Sequence, residues 1–88
     1  MSLAPILRFG ETAPLDKFYW RRQSEHHMIY RKQVGDIPLA YGYVARLPVA
    51  DHKPYRATAF PANSASETAM FADVTEAMSW VHVMVRMS

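Results

Sequence analysis

The chain has 88 residues, a formal net charge of +2, half of its residues apolar, and no cysteine. Eleven aromatic residues and only 20% charged ones exclude a disordered tail, which would be charge-rich and aromatic-poor. The missing cysteines exclude a disulfide framework, a thiolate nucleophile and a Cys-based zinc site, so packing alone must hold this small domain, helped by an N-terminal arm or a second copy.

Residues 1–15 contain Pro5, Gly10 and Pro14 and read as an irregular arm, with Ile6, Leu7 and Phe9 packing on the domain formed by 16–88. No basic leader precedes the short apolar stretch, and no run is long enough to span a membrane, which points to the cytoplasm. From Asp16 onward, aromatic and β-branched residues alternate between turn signals. Strands are expected over 17–23, with Phe18 and Trp20 on one face, and over 27–34. Gly35-Asp36-Ile37-Pro38 reads as a turn, because proline cannot donate to a strand ladder.

The next strand, 39–47, alternates most cleanly, and Gly42 within it marks a place where something bulky presses on the sheet or the strand bends. Residues 48–54, between Pro48 and Pro54, read as a loop, followed by a strand over 55–60, a turn at 61–64 and a short strand over 68–71. Asp73-Val-Thr-Glu76 has the form of a capping box. Val74, Ala77, Met78, Val81, Met84 and Val85 then fall on one helical stripe. Residues 79–87 also alternate as a strand would, but the cap and the length favour a helix. The expected architecture is α+β: a four- or five-stranded antiparallel β-meander packed on one face by a C-terminal α-helix.

The residues that carry chemistry are sparse. His26 and His27, adjacent in a strand, point to opposite faces, and His52 and His82 lie far from them in sequence. No local spacing supplies the three or four ligands of a zinc site, so no metal or other cofactor is expected. Ser79 and His82 are three apart on the helix but lack an orienting acid and a glycine-rich oxyanion loop. The chain therefore reads as no enzyme, and nothing implies a small-molecule substrate.

Two non-enzymatic readings remain. The first is a self-associating protein-interaction module, a homodimer or a binder of another protein. It uses the apolar surplus at Phe71, Trp80, Val83 and Met87, which lies off the main helical stripe. The alternative is a sheet-based nucleic-acid binder. From Lys17 to Arg56 there are eight basic residues against three acids, whereas 57–85 holds Glu67, Asp73 and Glu76 and no Lys or Arg. Tyr19, Arg21, Arg22, Arg31 and Arg56 are its candidate contacts, phosphates falling to the arginines and a base to the tyrosine. The two readings separate on whether those arginines converge on one exposed face.

The order of a Trp-bearing strand, Tyr-Gly-Tyr-Val, Tyr-Arg-Ala and then Phe-Ala-Asp-Val-Thr-Glu-Ala-Met-Ser-Trp-Val resembles small bacteriophage and prophage proteins. The resemblance covers about Phe18 to Val85 and implies packing roles for Phe71, Asp73, Ala77, Trp80 and Val81. It implies no catalytic role. Three-stranded sheets backed by a helix also occur in plant AP2 domains and integrase arm-binding domains, which bind DNA through the sheet. This chain departs from both in its sparser basic residues and its 48–54 loop.

Overall fold

The computed structural model describes residues 4–8, 10–48, 52–62 and 64–86. Among the described residues six strands form one sheet in sequence order: β1 (Ile6–Leu7), β2 (Phe18–Ser24), β3 (His27–Val34), β4 (Ile37–Arg46), β5 (Tyr55–Ala59) and β6 (Glu67–Phe71). The helix α1 (Val74–Arg86) follows and packs on β4, β5 and β6. The α+β meander with its C-terminal helix is as expected, but the strands number six. The additional strand comes from the arm: Ile6 and Leu7 pair in parallel with Trp20 and Arg21, and the Trp20 N–H donates to the Pro5 carbonyl at 2.8 Å. Two residues are too few to alternate, so periodicity does not reveal such a strand.

A second departure lies at the β3–β4 hairpin. The expected turn at 35–38 shrinks to Gly35-Asp36, and β4 begins at Ile37 with Pro38 inside it. Gly35 has φ +61°, which suits the first central position of a type II′ turn. Val34 and Ile37 close that turn, so the next pair, Gln33 with Pro38, falls at a non-hydrogen-bonded position. The nitrogen of Pro38 then faces the side where β5 does not reach, since β5 pairs only with Gly42–Arg46. No ladder bond is lost.

Alternation sorts the sheet into two faces. Trp20, Met28, Tyr30, Val44, Ala57 and Ala59 turn toward the helix and are buried against Ala77, Met78, Val81 and Val85. Gly42, Ala57 and Ala59 are small where the helix comes closest. A Cβ on Gly42 would lie 2.6 Å from Val81 Cγ1 and 2.7 Å from the Thr58 carbonyl oxygen, so the bulky neighbour expected at this glycine is Val81. At the helix start the Glu76 N–H donates to Asp73 Oδ2 at 3.3 Å, and Arg86 in the last turn lies over the Phe18 ring. Residues 79–86 are helical, which resolves the helix–strand ambiguity for that stretch.

Candidate functional site: the open sheet face and a basic cavity

The face away from the helix carries Tyr19 and Arg21 from β2, His27, Ile29 and Arg31 from β3, Tyr43 and Ala45 from β4, Arg56 and Thr58 from β5, and Thr68 and Met70 from β6. The register aligns Arg21, Ile29, Tyr43, Thr58 and Thr68 in one row across the sheet, with His27, Ala45, Arg56 and Met70 in the next. Phe60 continues the β5 alternation onto this face. Three rings from three neighbouring strands therefore line up: His27 and Tyr43 have centroids 5.7 Å apart, Tyr43 and Phe60 5.9 Å apart. Phe60 is 40% exposed. Among the described residues of strands β2 to β6 no Asp or Glu projects from this side, since Glu67, the one acid within these strands, shares its row with Trp20 and Tyr30 on the other face. Arginines at the ends and edges of a ring row, without competing carboxylates, make a surface suited to an anionic, flat-ringed ligand.

The expected nucleic-acid contacts divide. Arg21, Arg31 and Arg56 share this face, but Arg22 does not: it lies in the row of Met28 and Val44, on the helix side. Tyr19 is on the open side yet only 1% exposed, and the chain returns from β1 to β2 near it through Arg8 and Glu11, whose carbonyls bond Arg21. Arg21 fastens that passage, donating through Nη2 to the Glu11 carbonyl at 3.0 Å and through Nη1 to the Arg8 carbonyl. Its guanidinium lies over the Tyr19 ring, 5.6 Å from the centroid. Arg21 is therefore partly committed to the fold. Arg31 is half-buried, whereas Arg56 is exposed. Tyr43 shares this face, as its place in the alternating strand 39–47 allows, whereas His27 and Phe60 were not among the expected contacts; only the register brings the three into one row.

The expected protein-interface residues also separate. Trp80 is half-buried against Phe71, with ring centroids 5.7 Å apart, so these two pack on each other within the chain. Val83 is 37% exposed. Met87 lies outside the described residues. A larger exposed apolar surface sits elsewhere, at the end of the β3–β4 hairpin, where Val34, Ile37 and Leu39 are 41%, 60% and 41% exposed. Val34 and Ile37 are paired and Leu39 pairs with Lys32, so the three project from the same side of the hairpin.

Next to the helix start is a cavity of about 220 Å³, lined by Arg22, Glu25, His26, His27, Met28, Val44, Arg46, Tyr55 and Val74. Its apolar floor comes from the core row of Met28 and Val44, while Arg22 and Arg46 enter from β2 and β4 on either side of β3. Farther along the helix, the Tyr30 hydroxyl and His82 Nδ1 are hydrogen-bonded at 2.5 Å. Burial pushes the Tyr30 phenol up to about 12, against a smaller opposing effect of Arg86. Burial first, and then the nearby Arg86 charge, lowers the His82 pKa. Both groups are thus held neutral, which suits a packing contact.

Among the described residues no cluster of three or more His, Asp or Glu side chains forms that could hold a metal ion, and no helix is long and apolar enough to cross a membrane. Comparison of the chain with models of known families, with curated proteins and with solved structures finds no match.

Proposed function

We propose that this chain is a non-enzymatic binding module that takes single-stranded nucleic acid on its open sheet face. The observation that carries the reading is the row His27–Tyr43–Phe60, bordered by Arg31 and Arg56 on a face whose strands project no carboxylate. Bases stack on such rings whatever their identity, and guanidiniums follow the backbone phosphates. A second copy packed face to face on this surface would bring its own Arg21, Arg31 and Arg56 against a face whose strands project arginines and no carboxylate. That like-charge juxtaposition is costly and favours a polyanion over self-association here. A role as a phage or prophage accessory protein belongs to the same proposal and is supported by the order of strands and helix alone.

The test is fluorescence anisotropy with a labelled short oligothymidylate at two salt concentrations, repeated with the double variant R31Q/R56Q. Binding that weakens with salt, and weakens further in the variant, supports the reading. No binding at low salt, where phosphate contacts are strongest, ends it.

A second reading, self-association, is favoured by the exposed Val34, Ile37 and Leu39 at the hairpin end. Contiguous apolar surface of this kind commonly marks a protein interface. Light scattering coupled to size exclusion tests it directly. A species of twice the chain mass that becomes monomeric in I37K supports this interface, and a monomer at all concentrations excludes it.

A further inference from the structure

We infer that the cavity at the helix start binds one nucleotide, its base against Met28, Val44 and Tyr55 and its phosphate between Arg22 and Arg46. The choice of a nucleotide rests on the nucleic-acid reading above; the cavity's chemistry is independent of it. The floor is apolar, because Met28 and Val44 are both buried core residues whose outer ends reach the cavity. The ring of Tyr55 adds a flat wall, over which the Arg46 guanidinium lies 5.9 Å from the centroid. Arg22 and Arg46 stand on strands separated by β3, and Arg46 lies two residues beyond Val44, which is level with Arg22, so their Cα atoms are roughly 12 Å apart and their long side chains can close on a group between them.

Both arginines are exposed, and Glu25 is the one acid in the lining. Two guanidiniums therefore stand against a single carboxylate, leaving the cavity cationic. At about 220 Å³ it is smaller than the roughly 300–1,000 Å³ typical of drug-sized ligand pockets. That size suits one base with its phosphate and excludes an extended dinucleotide. His27 turns its ring to Tyr43 on the open face, so the cavity lies at the same end of the sheet as the ring row but on its helix side.

The experiment is a titration of the full, isotope-labelled chain followed by amide chemical shifts. Adenosine 5′-monophosphate, adenosine and inorganic phosphate are added separately. Saturable shifts at Met28, Val44, Tyr55 and Val74 with the monophosphate, weaker with either half alone, are the expected result. R22Q/R46Q, which changes only exposed side chains and whose melting curve is checked, should weaken the monophosphate at least about tenfold, since both charge-assisted hydrogen bonds to the phosphate are lost. Three outcomes overturn the inference: no saturable shift at those amides, shifts undiminished in R22Q/R46Q, or inorganic phosphate acting as strongly as the monophosphate. An oligothymidylate that shifts His27, Tyr43 and Arg56 while the monophosphate leaves the cavity unmoved would overturn this inference and leave the sheet reading standing. The monophosphate filling the cavity while the oligonucleotide fails would do the reverse.

Discussion

Val81 sits directly over Gly42, so close that the glycine's missing Cβ would stand 2.6 Å from Val81 Cγ1. On the other side of the same point is the Thr58 carbonyl, at 2.7 Å, and backbone cannot swing aside as a side chain does. The helix is thus seated on bare backbone at the middle of its buried face, with Ala57 and Ala59 widening the seat. Gly42→Ala must either lift α1 or push β5, and overpacking of this kind costs about 1–3 kcal/mol. Chemical denaturation should show the midpoint falling with little change in slope. In the double variant G42A/V81A the freed space should return part of the loss, and a purely additive result would show that the two residues are not coupled.

The burial of the hydrogen-bonded pair Tyr30 and His82 makes stability depend on pH at both ends of the range. His82 has a lowered pKa in the folded chain, so the unfolded chain binds the proton first as pH falls. Its contribution is whole above about pH 6.5, the ordinary histidine value, and is lost as pH falls from there toward the lower folded value. Tyr30 behaves oppositely. Its raised pKa, about 12, means the folded chain keeps the proton longer, so stability is whole below about pH 10 and declines as pH rises toward 12. Urea midpoints measured from pH 5 to 8 should fall on the acid side in the parent chain and fall less in H82Q. Equal acid slopes in the two proteins would remove His82 as the cause. Y30F should cost about 0.5–1.5 kcal/mol, the net value of one hydrogen bond, and should flatten the alkaline decline.

The helix was legible because its signals are local. Asp73 and Glu76 form the cap, and the apolar stripe from Val74 to Val85 repeats within one element. The pressed glycine was legible too, since a glycine in an alternating strand has few other physical reasons to be there. What escaped depends on register. Tyr19 alternates as a surface residue should, and nothing local reveals that it is buried beneath the Arg21 guanidinium, which is held by the Glu11 carbonyl. Arg22 differs from Arg21 by one position, which in a strand means the opposite face. The ring row is similar: His27, Tyr43 and Phe60 lie far apart in sequence and become neighbours only when three strands are aligned. Gln23 adds a further obstacle, because the bulge there shifts the pairing before the hairpin.

Arg21 holds the N-terminal passage in place, and removing it should loosen a specific part of the fold. R21A loses the bonds to the Arg8 and Glu11 carbonyls and the contact over Tyr19. These bonds lie at the surface, so the cost to global stability should be about 1 kcal/mol or less. The local effect should be larger. The Trp20 amide, bonded to Pro5, reports β1 pairing, and its hydrogen exchange should accelerate in R21A while that of Val44, in the sheet centre, stays near the parent rate. Uniform acceleration of both would mean that the arm unfolds only with the whole domain.

The two parts of the open face should separate in binding experiments, because rings and guanidiniums contribute through different physics. Phe60 ends the ring row and is substantially exposed, so F60A removes a stacking surface without opening the core. Loss of one base–ring stack should weaken oligothymidylate binding by about 1–3 kcal/mol and leave the dependence on salt unchanged. Arg56 is exposed and carries charge on the same face. R56Q should reduce the slope of log affinity against log salt by about 0.7, the value for one phosphate contact on a single strand. Affinity at high salt, where counterion release matters least, should then differ little between R56Q and the parent, while F60A remains weak. A salt slope unchanged in R56Q would mean that Arg56 touches no phosphate, and the strand would have to cross the ring row by another path.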